Sequence, residues 1–212
     1  SLHGGPGGFH QVLWSVISVD NSDEPSIVFE YTSPDGEEGY PGNLKVHVKY
    51  MITKDNELVM DYKAQTDRET IFNPTNHAYF NLSGDHSKDI LNTKLKINAQ
   101  KTTVIREDLI PTGEIASVAG TGLDFTVSKP FGRDMFSKDR TIEMCGGFDH
   151  NFCVDGKGFR EFAEAYEPDS GRFMTVHSSM PGVQLYTFNA AEKGLRNKDG
   201  SEMKPYTAFC LE

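Results

Sequence analysis

A chain of 212 residues can bury a sizeable core as one large all-β domain or two small ones. Its net charge of −10 and pI near 5.2 argue against a surface that tracks nucleic-acid phosphates, which needs concentrated Lys and Arg. No apolar run approaches the ~18 residues of a membrane-spanning helix, and Ser1-Leu2-His3-Gly4-Gly5 is not a signal peptide, so a soluble, cytoplasmic protein without a membrane partner is expected. No Pro/Gly/Ser-rich linker, low-complexity tract or repeat divides the chain, which predicts a single domain over residues 1–212.

Gly4, Gly5, Gly7 and Gly8 surround Pro6 in a turn-forming start that no strand precedes, so a nucleotide loop is excluded and His3 reads as a solvated loop histidine. Val12 to Val19 and Ile27 to Thr32 are strand-like, and Ser33-Pro34-Asp35-Gly36 is a turn. Leu44 to Ile52 alternates apolar with polar residues, the pattern of a strand with one buried face, and His47 falls on its polar, exposed side. Leu58 to Ala64 resumes the alternation as a hairpin partner.

Asn73-Pro74-Thr75-Asn76-His77-Ala78-Tyr79-Phe80-Asn81-Leu82 then sets one histidine among amides, a hydroxyl and aromatic rings, a mixture suited to a small polyhydroxylated ligand. The sequon Asn81-Leu82-Ser83 sits where a glycan would crowd such a site, and reads as a chance match. Leu95 to Ala99 and Thr102 to Ile105 are short strands. Ile110 to Glu114 and Lys129 to Gly132 read as turns, and Phe125 to Gly147 as loop with one short helix. Gly147-Phe148-Asp149-His150-Asn151-Phe152 is a polar cluster set in aromatics that reads locally as a turn. Phe162 to Tyr166, Phe173 to His177 and Val183 to Phe188 complete the strands, with a hairpin turn at Asp169-Ser170-Gly171. Many short strands without crossover helices indicate a β-sandwich.

Cys145, Cys153 and Cys210 form neither an even framework nor a Cys-x-x-Cys pair, so free thiols are expected. Metal-ligand spacings and a Gly-x-Ser-x-Gly nucleophile are missing. What remains is acid–base chemistry using His77 with Asp149, Glu212 or both, although Gln184 and Glu212 taken singly read as solvent-facing residues. A glutamate carboxyl titrates near ~4.3 and an imidazole near ~6.5, so at pH 7 the first accepts a proton and about a quarter of the second carries one.

In chain order, Ser1-Leu2-His3-Gly4-Gly5, Gly39-Tyr40-Pro41-Gly42, Asn73 to Leu82, Pro111-Thr112-Gly113-Glu114, Phe148 to Phe152, Pro181 to Thr187 and Phe209-Cys210-Leu211-Glu212 resemble the successive motifs of the aldose 1-epimerases, also called galactose mutarotases. The resemblance implies a large twisted β-sandwich that interconverts the α and β anomers of a free aldose without cofactor or metal. It implies that Glu212 takes the proton of the anomeric hydroxyl and His77 protonates the ring oxygen, while His3, Asp149 and Gln184 hold sugar hydroxyls. Family members carry further strands and an arginine motif before the His3 motif, and more sheet after the glutamate, so the chain is expected to be a fragment, inactive or prone to aggregate by itself. The alternatives are a carbohydrate-binding module without catalysis and a glycoside hydrolase using Asp149 and Glu212.

Overall fold

The alternating runs fold into antiparallel sheets. The computed structural model describes residues 3–191 and 194–212, and the chain divides into two units, Ser1–Thr75 and Asn76–Glu212.

In the first unit, β1 (Ser15–Asp20), β2 (Ser26–Ser33), β3 (Leu44–Ile52) and β4 (Leu58–Thr66) form a sheet in chain order. Alternation along β3 buries Leu44, Val46 and Val48, which pack with Phe9, Trp14, Tyr62 and Phe72. His47 departs from expectation: it is half-buried, with Nε2 2.7 Å from Glu30 Oε2. Glu30 is its register partner on β2, and a directly opposed acid and imidazole cover one another from solvent.

The second unit holds two sheets. One has the order β11 (Phe173–Ser178), β10 (Arg160–Tyr166), β5 (Lys94–Ile97), β8 (Lys129–Pro130). The other runs β13 (Cys210–Leu211), β12 (Gly182–Tyr186), β9 (Asp149–Cys153), β6 (Lys101–Ile105), β7 (Pro111–Ser117). Leu95, Ile97, Phe162 and Ala165 from the first sheet meet Phe152, Val183 and Leu185 from the second in one core, closed by Phe125, Phe131, Phe148 and Phe209. The one α-helix among the described residues, α1 (Arg140–Cys145), lies inside the segment expected to hold a short helix. Asp139 caps its start by accepting from the Thr141 N–H at 3.0 Å, and Gly146, at φ 66°, ends it. None of the described helices is long and apolar enough to cross a membrane.

Three turn expectations are corrected. Pro111 to Glu114 belongs to β7, where proline takes the first position of a sheet-edge strand and so removes no needed donor. Lys129-Pro130 forms β8, and only the residues after it turn, as a 3-10 segment. Asp149 to Phe152 is the strand β9: its turn-prone Asp and Asn sit on one face while His150 and Phe152 are buried on the other, so sheet pairing overrides local preference.

Asn81 is a structural staple. Its side-chain N–H groups donate to the carbonyls of Asp85, Lys88 and Thr207 at 3.2, 2.9 and 2.9 Å, and its Oδ1 accepts from Ser83 N–H at 2.9 Å and Ser83 Oγ at 2.7 Å. An amide so engaged is a poor glycan acceptor. Asn81→Ala, which strips these bonds and leaves carbonyls without donors, is expected to lower unfolding free energy by about 1–3 kcal/mol in denaturant melts; an unchanged midpoint would exclude the staple.

Candidate active site

Sheet register brings the polar residues together. On β9 and β12 every second residue is buried: His150, Phe152, Val183 and Leu185 face the core. Asp149, Asn151, Gln184 and Tyr186 therefore share the opposite face. Gln184 is the register partner of Asn151, and Tyr186 that of Asp149. Across the other edge of β12, Leu185 pairs with Leu211 and Tyr186 with Cys210. One position further, the Gln184 N–H donates to Glu212 O at 2.6 Å and the Glu212 N–H to Gln184 O at 3.0 Å. Glu212 thus stands beside Gln184 in the next row.

The histidine arrives by a single bridge. The Phe80 N–H donates to Phe209 O at 2.8 Å and the Phe209 N–H to Phe80 O at 3.0 Å, an antiparallel pair. Counting three residues outward from it on both segments sets His77 opposite Glu212, and His77 Nε2 lies 3.1 Å from Glu212 Oε2. The Glu212 side chain is 9% exposed and that of His77 29%, so solvent screens the pair only weakly. On the same face, the Gln184 Nε2–H donates to Asp149 Oδ1 at 2.7 Å, which orients both side chains.

The entry to β9 is held by a buried network. Thr187 Oγ1 accepts from the Phe148 N–H at 3.0 Å and donates to Asn189 Oδ1 at 2.6 Å, while Asn189 Nδ2 donates to the carbonyls of Cys145 and Phe148 at 3.0 and 2.9 Å. Gly147 is needed here: at φ 147°, a Cβ on it would lie 2.3 Å from Asn189 Oδ1.

Four of the five expected site residues, His77, Asp149, Gln184 and Glu212, fall on this face of the second unit. His3 belongs to the first unit, exposed in the starting turn with a left-handed backbone of φ 55°. The sequence reading assigned no role to Tyr79 or Tyr186, although Tyr79 lies two residues from His77 and Tyr186 two from Gln184, the spacing that keeps strand side chains on one face. Tyr79 stacks on His77, with ring centroids 5.0 Å apart and planes 14° from parallel. Burial, helped by the nearby Cys210, Tyr186 and Glu212, raises the Tyr79 phenol to about 12. Burial, with the Glu212 charge second, also raises the Cys210 thiol, and Cys145, Cys153 and Cys210 are all free.

A carboxylate against an imidazole is a proton-transfer pair, and a carboxylate bonded to an amide offers acceptors and donors to hydroxyl groups. A galactose 1-epimerase from Lactobacillus acidophilus aligns with all of this chain and 60% of its own, with a TM-score of 0.81 and 28% identity. An aldose epimerase homologue from C. elegans aligns with 99% of the chain and 61% of its own, at 0.82 and 26%. The protein therefore has the galactose mutarotase type of β-sandwich. A family profile described as aldose 1-epimerase matches residues 1–212, and the chain belongs to that family. Bos taurus galactose mutarotase is 43% identical over the whole of it, and the aldose 1-epimerase of Escherichia coli K12 is 35% identical over 89% of it. The chain spans 59% of the bovine protein and 54% of the bacterial one.

Behind the site, His150 is 1% exposed. The Asp149 N–H donates to its Nδ1 at 3.0 Å, so the proton of the neutral ring sits on Nε2. Burial, opposed by the charge of Asp139, lowers this imidazole to about 4. The unfolded chain, titrating near ~6.5, then binds a proton that the folded chain refuses between pH ~6.5 and 4. His150 thus contributes stability that is present above this window and is lost as pH falls through it, at up to about 1.4 kcal/mol per unit. His150→Asn keeps an acceptor for the Asp149 N–H but cannot titrate. Its stability deficit against the parent should shrink between pH 7 and pH 5 in denaturant unfolding; a deficit that stays constant with pH would contradict the assignment.

Proposed function

We propose that the protein carrying this chain is an aldose 1-epimerase that interconverts the α and β anomers of free hexoses such as galactose and glucose. The observation that carries the reading is the 3.1 Å contact between His77 Nε2 and Glu212 Oε2, on a sheet face that also bears the bonded pair Gln184 and Asp149. The names of the relatives supply the substrate class. The match across residues 1–212 supports treating both units as parts of one sandwich domain. The free cysteines suit a reducing compartment, and we assign the protein to the cytoplasm.

In this mechanism the Glu212 carboxylate takes the proton from the anomeric hydroxyl while the His77 imidazolium gives one to the ring oxygen. The bond between C1 and the ring oxygen breaks, leaving an open-chain aldehyde. Rotation about C1–C2 presents the other carbonyl face. His77 then recovers its proton as the ring oxygen attacks C1, and Glu212 returns its proton to the carbonyl oxygen. Both groups finish as they began, so no cofactor is consumed. His3, Asp149 and Gln184 hold the remaining hydroxyls.

Polarimetry of freshly dissolved α-D-galactose and α-D-glucose with the intact protein tests the reading. Mutarotation is expected to accelerate, and His77→Ala and Glu212→Gln should each lower kcat by about 10²–10⁴-fold, with KM changing little. Turnover unaffected by either change would refute the roles. Sugar binding by the intact protein without acceleration would favour a binding module.

A further inference from the structure

We propose that Tyr79 is a positioning residue of the acid–base pair: its ring, stacked on His77, sets the plane of the imidazole and keeps Nε2 aimed along the line between Glu212 and the sugar. The proposal rests on the epimerase reading and adds to it a side chain that does no chemistry.

The need arises from the histidine itself. The bond that turns an imidazole about its Cβ–Cγ axis joins an sp³ to an sp² carbon, so its torsional wells are broad and do not fix the ring plane. His77 must deliver a proton on ring opening and recover it on closure, and both transfers use the same nitrogen. A ring that swings by a few tens of degrees would move Nε2 off the 3.1 Å approach to Glu212. Contact on a flat face is the direct way to limit that swing. Tyr79 provides it with centroids 5.0 Å apart and near-parallel planes.

Tyr79 is itself braced, although half of it is exposed to solvent. Tyr186 meets it edge-on at 6.5 Å between centroids and Phe188 at 5.6 Å, with interplanar angles of 80° and 84°. Phe188 reaches that position through a left-handed backbone of φ 47°, a conformation that bulky L-residues avoid. Strain of this kind persists only where the surrounding structure enforces it, and it concentrates at functional sites. Here Tyr206 donates its N–H to Phe188 O at 3.0 Å and holds the bend. A chain of contacts thus runs from a strained backbone through Phe188 and Tyr79 to the catalytic imidazole. The phenol stays protonated across the neutral range, since burial raises it to about 12, and so it is a poor proton acceptor in its own right. The ring, rather than the hydroxyl, is the working part.

The test uses the intact protein and compares Tyr79→Leu, Tyr79→Phe and Phe188→Leu by anomer-exchange kinetics and thermal melting. Tyr79→Leu should lower kcat by about 10- to 100-fold, the loss expected from a misdirected catalytic group, with KM within about twofold. Tyr79→Phe, which keeps the ring, should recover kcat to within about threefold of the parent. Phe188→Leu, which removes the brace, should lower kcat in the same direction by a smaller factor, and it provides the reading should Tyr79→Leu fail to fold. The proposal is overturned if Tyr79→Leu keeps parental kcat, if Tyr79→Phe is as impaired as Tyr79→Leu, or if folded Tyr79→Leu raises KM while kcat holds, which would make Tyr79 a sugar contact. An intact parent with no epimerase activity would instead refute the underlying function.

Discussion

The site in the second unit hangs on the antiparallel pair Phe80 and Phe209. Two hydrogen bonds join them, and Phe209 is wholly buried with its ring 5.8 Å from that of Phe80 and 5.3 Å from that of Phe131. Side chains along extended chain alternate faces, so this one pair dictates the facing of its neighbours. With Phe209 in the core, Cys210 and Glu212 fall on the site side; with Phe80 inward, Tyr79 and His77 fall there as well. A slip of one residue would turn Glu212 into the core and leave Leu211 on the polar face, a change that burial of the phenylalanines forbids.

The same division of faces lets a packed core and a polar face coexist in short strands. β9 and β12 give one side to the core through Phe152, Val183 and Leu185, and the other to Asp149, Asn151 and Gln184. The polar side is kept ordered by bonds that leave the residues in place: backbone pairing of Gln184 with Glu212, the amide–carboxylate bond of Gln184 with Asp149, and the Thr187–Asn189 clamp at the entry to β9. Two departures from ideal backbone, Gly147 at φ 147° and Phe188 at φ 47°, lie at the margins of this face, where the chain bends sharply to leave the sheet.

Much of the fold was legible because alternation is a strong local signal. Leu44 to Ile52 forms β3 over the residues expected, and β2, β4, β5, β6, β10, β11 and β12 lie within a few residues of theirs. Asp149 to Phe152 was misread because Asp, Asn and Gly favour turns locally, and only tertiary pairing with β12 reveals a strand. The candidate site residues came from motif resemblance; the arrangement of His77, Asp149, Gln184 and Glu212 was not legible, because it depends on bridges between residues far apart in sequence. The place of Tyr79 beside His77 was recoverable in principle from its spacing, but a tyrosine in an aromatic stretch reads first as packing.

Asn81 ties the His77 segment to Thr207, 126 residues later. Closing a loop of that length costs chain entropy before any contact rewards it. His77 and Glu212 are therefore united by long-range pairing that local structure cannot anticipate, and during synthesis the histidine waits through most of the second unit for its carboxylate. The His77–Glu212 contact is in that sense a report on completed tertiary structure: a chain that has formed its hairpins but not the Phe80–Phe209 bridge carries both side chains and no pair.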